Sequence, residues 1–383
     1  MNIPVEFDDI RPYSPEEMPA AFVRLLSDES FCQIALSFFK DKTVDDLRHL
    51  AATCTDNVDF QKKFLYALMM DLLSKTSVGY GMNITALSDI QRGYTFVSNH
   101  RDIVLDAAFL DIFLIEKGFP TTVEIAIGDN LLITPWIETL VRLNKSFIVK
   151  RSVGVREMLE SSRLMSRYMH FAIRQKHENI WIAQREGRAK DSDDRTQESV
   201  LKMMAMGGEG TPIESLKELN IVPLTISYEY DPCDYLKAQE FQLKRDVPEF
   251  KKTQADDLKN MQTGIFGYKG QIHYEAAPCI NVWIDELKDL PKNRFFGELA
   301  RRMDIEIHSR YHLYSNNYIA ADMLDATSRF SDKYTPEEHN NFEEYLNQRL
   351  ALIQLPGKDE AFLRERILVM YANPLRNYIN ATV

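Results

Sequence analysis

YTFVSNHRDIVLDAAFLDIFLIEKG, residues 94–118, decides the fold class. Its first five residues are aromatic, β-branched or small, an apolar run of strand length. The polar stretch Asn99-His100-Arg101-Asp102 ends that run. From Leu105 the apolar residues recur at three- and four-residue spacing, the period of a helix with a buried face. A strand that turns directly into such a helix is half of a β-α-β unit, and the same texture repeats on either side.

Working outward, the runs TVEIAIG (122–128), SFIVK (146–150), NIWIAQ (179–184), IVPLTISY (221–228) and GQIHYEAAP (270–278) read as further strands. Between them LDAAFLDIFLIEKG (105–118), TPWIETLVRLN (134–144), VREMLESSRLMSRYMHFAIRQK (155–176) and QESVLKMMAMG (197–207) read as helices. Alternation of this kind predicts an α/β fold with a mostly parallel central sheet flanked by helices. Its strands are continuously apolar, hence buried on both faces. Residues 1–88 read as helical, with a capping signal at Ser14-Pro15-Glu16-Glu17. Residues 89–290 form the α/β core, interrupted by a polar segment over 232–262 that reads as an inserted helix or a long surface loop. Residues 291–383 return to helix, with Pro356-Gly357 as a break.

The bulk numbers narrow the function classes. The chain has 383 residues, 45% of them hydrophobic, enough for one large domain or two intimate ones. A net charge of -11 argues against nucleic acid as a partner. Any attraction to phosphate must come from a local basic cluster. Cys32, Cys54, Cys233 and Cys279 show no metal-ligand spacing and fit free thiols in a reducing compartment. The amino terminus lacks the basic start and apolar run of a signal peptide. No stretch of about 18 uncharged apolar residues reads as a membrane span. The expectation is a cytoplasmic protein. If it handles lipids, it meets the inner face of the membrane peripherally, through amino-terminal helices bearing the FVRLL and FFK stretches.

Four constellations can carry chemistry. His100 lies on the turn beyond a strand's carboxyl end, where α/β sheets open their ligand crevices. A neutral imidazole there can take a proton, and a carboxylate beside it would fix its tautomer and stabilise the cation that forms. Asp106 and Asp102 are both placed to be that carboxylate. The same residues would also serve a plain helix cap. Lys150 and Arg151 end the SFIVK strand and can hold a phosphate. Glu186-Gly187-Arg188 follow the NIWIAQ strand. There Gly187 permits a tight turn, Arg188 has the planar fork that matches phosphate oxygens, and Glu186 can orient it. Pro223 inside IVPLTISY removes a ladder donor, which predicts a sheet edge or bulge. The triplet His100-Arg101-Asp102 also occurs in protein kinases, but position 107 is Ala where a kinase needs Asn, and no Asp-Phe-Gly follows.

In order, NHRDIVLD (99–106), SFIVKRS (146–152), REGRAKD (185–191) and IVPLTISYE (221–229) resemble the four blocks of the glycerol-3-phosphate and lysophosphatidate acyltransferase family. IAIGDNLLITPW (125–136) and RYHLYSNNYIAADML (310–324) resemble segments of its glycerol-3-phosphate branch. The resemblance spans residues 90–325. It implies an O-acyltransferase of phospholipid biosynthesis, with His100 as general base and Asp106 as its orienting acid. Lys150, Arg151, Glu186, Gly187 and Arg188 would hold the acceptor phosphate. It implies acyl-coenzyme A or acyl-carrier protein as co-substrate, with no cofactor and no metal. The basic segments over 237–252 would be a docking patch for an acidic carrier. Two departures stand out: five residues separate His100 from Asp106 where the family has four, and Glu186-Gly187-Arg188 lacks the residue that usually precedes the Arg. These leave open an acyltransferase for an amino-acid or other polar-lipid acceptor, and a non-catalytic lipid- or carrier-binding protein. A hydrolase would need a G-x-S-x-G elbow or a metal cluster, and neither is present.

Overall fold

The structure is a computed structural model and describes residues 3–150 and 154–383. Seven strands form one sheet: β1 (Ser77–Asn83), β2 (Thr95–Ser98), β3 (Val123–Gly128), β4 (Ser146–Val149), β5 (Asn179–Ala183), β6 (Ile221–Tyr228) and β7 (Gly270–Ala276). Their order is β1-β7-β6-β2-β5-β3-β4. All neighbours run parallel except β6 and β7. The expected α/β architecture with a mostly parallel sheet, an amino-terminal helical region and a helical tail is therefore the one observed.

β2 and β6 are buried along their whole length, which explains their unbroken apolar sequences. One face of the sheet packs on helix Leu105–Glu116, whose residues Leu105, Phe109, Leu110 and Phe113 join Phe96, Val222 and Tyr274 in one core. The other face packs on helices Val155–Arg174, Glu198–Met204 and Lys292–His308. The amino-terminal helices make their own core against helix Pro135–Leu143. The carboxy-terminal helices Ser315–Asp325, Pro336–Ala351 and Glu360–Thr382 make a fourth, shared with helix Asp234–Asp246.

Four details depart from the sequence reading. The stretch expected to be helical to residue 88 contains β1, a sheet-edge strand whose Val78 and Tyr80 face solvent. Its alternating Gly79 and Gly81 leave no apolar face to read. The first long helix begins at Met18 rather than at Pro15. Glu17 instead reaches back to the Ser14 N–H at 2.7 Å and pairs with Arg11. Pro223 sits in a central strand. Its carbonyl accepts from Ala277 N at 2.8 Å, just where the β7 ladder has ended at Ala276, so the missing N–H breaks no strand pair. The polar insertion is two helices, Asp234–Asp246 and Gln254–Phe266, and the first is half sunk into the core, with Lys237, Glu240 and Gln242 buried. Its polar side chains are matched inward, which composition alone cannot reveal.

Phe109 is fully buried between the sheet and its own helix, with Phe113 at 6.5 Å centroid separation. Phe109→Ala should cost about 3–5 kcal/mol of stability, read as a lower urea midpoint at unchanged m value.

Candidate functional site

β2 lies between β5 and β6, so the segments that follow these three strands meet at one end of the sheet. The first side chain past β2, Asn99, is wholly buried and extends the ladder. It donates to the Ile226 carbonyl at 2.9 Å and accepts from Ile226 N at 2.8 Å. That pair fixes where His100 begins.

His100 Nδ1 lies 2.8 Å from Asp106 Oδ2. A carboxylate only accepts, so Nδ1 carries the proton and Nε2 is left with its lone pair. The ring leans edge-on against Trp181 at 5.6 Å and retains 13% side-chain exposure, which leaves it open to solvent on one side. Asp106 is fully buried in the first turn of its helix. Its Oδ2 also accepts from Arg101 N at 2.6 Å, and its Oδ1 accepts from the Tyr228 hydroxyl at 3.0 Å. Tyr274 donates to the Asp106 carbonyl at 3.0 Å. The imidazole is thus held in one tautomer by a carboxylate that Arg101 N and Tyr228 hold in turn, on a residue whose backbone Tyr274 secures.

Asp102 does something else. Its Oδ1 accepts from Val104 N and Leu105 N, both at 2.9 Å, and so absorbs the extra residue between His100 and Asp106 into a capped turn. Burial, and then the nearby Asp106, push its carboxyl above the usual range. Helix Gln254–Phe266 crosses so close that a Cβ at Gly264 would stand 2.0 Å from Asp102 Oδ2, so any larger residue there must displace that carboxylate.

Arg101 turns inward and is buried. Its Nη1 donates to Ser192 Oγ at 2.6 Å, and its Nη2 is 3.7 Å from Asp231 Oδ2. Asp231 is also paired with buried Lys237 at 2.5 Å. Burial alone would raise the Asp231 carboxyl, but Lys237 and Arg101 outweigh it and hold it down at about 2. Asp194 is buried too, neither of its carboxylate oxygens hydrogen-bonds among the described residues, and burial pushes its carboxyl up. Its backbone carbonyl accepts from His308 Nε2 at 2.9 Å.

The expected phosphate ligands divide. Glu186, Gly187 and Arg188 follow β5 and stand beside the His100 turn. Gly187 has φ +69°, the left-handed conformation its glycine anticipated. Arg188 donates to Asn260 Oδ1 at 3.2 Å, while its buried Nη1 has no hydrogen-bond partner among the described residues. Lys150 reaches the same end of the sheet, because β2, β5, β3 and β4 run parallel, but not the His100 turn. It closes the far edge strand β4, three strand spacings or about 14 Å from β2, and pairs with Asp9 at 3.4 Å. Arg151 lies outside the described residues. In the expected carrier-docking segment over 237–252, Lys251 is exposed and the other cations are paired. Lys237 is buried on Asp231, Lys244 and Lys252 pair with Glu240, and Arg245 pairs with Asp246 and Asp359. Among the described residues no group of acidic, histidine and cysteine side chains could hold a metal ion.

Sequence reasoning missed Tyr228, Tyr274, Ser192 and Asp231. Tyr228 and Trp181 lie inside the motif strands, but a tyrosine or tryptophan in an apolar run reads first as core. Tyr274 carries no sequence signal at all, because only the antiparallel return of β7 brings it to Asp106.

Residues 81–227 match the family model described as Acyltransferase. None of the curated proteins compared matches the chain. A solved structure, the 1-acyl-sn-glycerophosphate (LPA) acyltransferase PlsC from Thermotoga maritima, aligns over 75% of this chain and 95% of its own. The identity is 10% and the TM-score 0.37.

The setting of His308 gives a pH signature to the loop that holds Arg101. Burial lowers its imidazole from 6.5 to about 4, so it is neutral in the fold while the unfolded chain protonates it. Between those values the unfolded state binds the extra proton. This contribution to stability is full above 6.5 and is lost as the pH falls toward 4. His308→Gln, which can still donate to the Asp194 carbonyl, should flatten that part of the profile in urea unfolding at successive pH values.

Proposed function

We propose, from the acyltransferase match of residues 81–227, that this protein moves a fatty acyl group from an acyl thioester to a hydroxyl of a phosphoglycerol acceptor, glycerol-3-phosphate or lysophosphatidate. The observation that carries the reading is the His100 ring, partly exposed, with Nδ1–H bonded to buried Asp106 and Nε2 left as an acceptor. In this mechanism Nε2 takes the acceptor hydroxyl proton as that oxygen attacks the thioester carbonyl carbon. Asp106 stabilises the imidazolium that forms. The tetrahedral intermediate then expels the thiolate, the carbon–sulfur bond breaks, and His100 returns the proton to sulfur. The products are an ester and a free thiol, and no enzyme nucleophile, metal or cofactor enters the balance. The donor is acyl-coenzyme A or acyl-carrier protein.

Arg188 is the best-placed ligand for the acceptor phosphate, because its buried Nη1 has a donor to spare beside the His100 turn. Gly187 and Glu186 shape the same turn. A second acceptor class, an amino-acid or other polar lipid, is favoured by one observation: Lys150 stands at the far sheet edge, so among the described residues of the expected set Arg188 alone stands beside the His100 turn as a cation. For access to lipid we propose peripheral contact through the amino-terminal helices. Ile34 and Phe38 of helix Glu29–Phe38 are 45% and 41% exposed, and no described helix is long and apolar enough to cross a membrane. Sedimentation with zwitterionic lipid vesicles tests that contact. A protein that stays wholly in the supernatant would rule it out.

The central test follows thiol release from palmitoyl-coenzyme A or palmitoyl-carrier protein with glycerol-3-phosphate, lysophosphatidate, lysophosphatidylethanolamine and amino-acid lysolipids as acceptors. His100→Ala should lower kcat by roughly 10²–10⁴-fold. Asp106→Asn should also lose most of the rate. Arg188→Ala should act mainly on KM for a phosphate-bearing acceptor. Full activity in His100→Ala would remove the general-base assignment. Release confined to amino-acid acceptors would move the protein to the second class.

A further inference from the structure

Ser192 is a fully buried residue with φ +59°, a left-handed backbone that a non-glycine side chain adopts only where its surroundings enforce it. Locally, Asp193 N donates to Asp191 Oδ1 at 3.1 Å across it, and further contacts come from far along the chain. On helix Glu360–Thr382, Asn373 and Asn377 lie one turn apart on one face. Asn373 Nδ2 donates to the Asp191 carbonyl at 2.9 Å, and Asn377 Nδ2 donates to Asp193 Oδ1 at 3.1 Å. Arg195 closes the set by donating to Asn377 Oδ1 at 2.8 Å. The two asparagines therefore grip the residues immediately before and after Ser192.

What this grip presents is Ser192 Oγ, 2.6 Å from Arg101 Nη1. The other anchor of the Arg101 guanidinium, Asp231, is held by the same helix, since Asp231 N donates to the Tyr371 hydroxyl at 3.1 Å. Arg101 is the residue after His100, and its own N–H occupies Asp106 Oδ2 at 2.6 Å beside the imidazole. One carboxy-terminal helix thus holds both ends of the clamp on the side chain whose backbone shares a carboxylate oxygen with His100.

We propose that Asn373 and Asn377 are positioning residues for the His100–Asp106 pair, acting through Ser192 and Arg101. The kinetic arm of the test rests on the acyl-transfer reading above, and the spectroscopic arm does not. In the full-length Asn373→Ala/Asn377→Ala double variant, kcat for thiol release should fall about ten- to a hundredfold with KM for the acceptor unchanged, the mark of misplaced rather than missing groups. The His100 Nδ1 proton, assigned by its loss in His100→Gln, should exchange with solvent about tenfold faster in ¹H NMR as its alignment on Asp106 loosens. Leu375→Ala is the control: Leu375 is buried in the core of the carboxy-terminal helices, away from the loop, and its truncation should lower Tm with kcat and proton exchange intact. If the double variant does not fold, Asn377→Asp keeps the oxygen that Arg195 uses and removes the donor to Asp193. It should show the same changes to a smaller degree.

A folded double variant with wild-type kcat and wild-type proton exchange would overturn the proposal. So would an equal loss of kcat in Leu375→Ala, which would reduce the effect to general loosening. If the wild-type protein released no thiol with any acceptor, the functional reading would fail, and proton exchange alone would decide the positioning role.

Discussion

A carboxylate with no exposure to water is the constraint on which the rest of this structure depends. Asp106 can be tolerated at that depth only if its oxygens are supplied with donors, because an unpaired buried charge is far more costly than a paired one. The donors come from His100 and Arg101 beyond β2 and from Tyr228 on β6, while Tyr274 on β7 secures the carbonyl of the same residue. No two neighbouring sequence segments could meet this need. It takes strands β2, β6 and β7 side by side, so the sheet order also orders the hydrogen bonds of one residue.

Satisfying Asp106 with the Arg101 backbone transfers the problem to the Arg101 side chain. A buried guanidinium needs its own partners, and it has Asp231 and Ser192. Asp231 in turn requires Lys237, which draws helix Asp234–Asp246 into the core. Asp234 at the start of that helix accepts from Tyr345 at 2.6 Å and from Tyr371 at 2.9 Å, and pairs with Arg349. The carboxy-terminal helices therefore complete a chain of charge compensation that begins one residue from His100. Removing one member of such a chain leaves the next uncompensated, and for that reason the tail behaves as part of the core.

This dependence explains what could be read from the sequence. The strands of the α/β core were legible because strands buried on both faces must be apolar throughout, and 221–228 is a strand end to end as its residues require. The turn at His100 was legible because polar residues between an apolar run and a helix period have nowhere else to be. The choice between Asp102 and Asp106 was not. Both lie within reach of His100 along the chain, and the outcome turns on backbone N–H groups of Val104 and Leu105 that Asp102 satisfies first. β1 was hidden by its glycines and exposed edge. Helix Asp234–Asp246 was hidden because its buried residues are charged, and charge reads as surface unless the partner is known.

The same charge compensation bears on how an acceptor is held. Around His100 the buried acids Asp102, Asp106, Asp194 and Asp231 face Arg101, Arg188 and Lys237, so the two signs nearly cancel within the protein. With a net charge of -11 overall, no long-range field draws an anion toward the site. A phosphate-bearing acceptor would then be held by short-range, directional donors, and a guanidinium with an unused buried N–H is better suited to that than a cluster of mobile lysines. Arg188 is such a group, and it sits on the turn that Gly187 bends. Acceptor choice on this view is decided by the geometry of one turn after β5, while the His100–Asp106 pair, fixed by groups from β6, β7 and the turn after β2, can serve any hydroxyl delivered to Nε2.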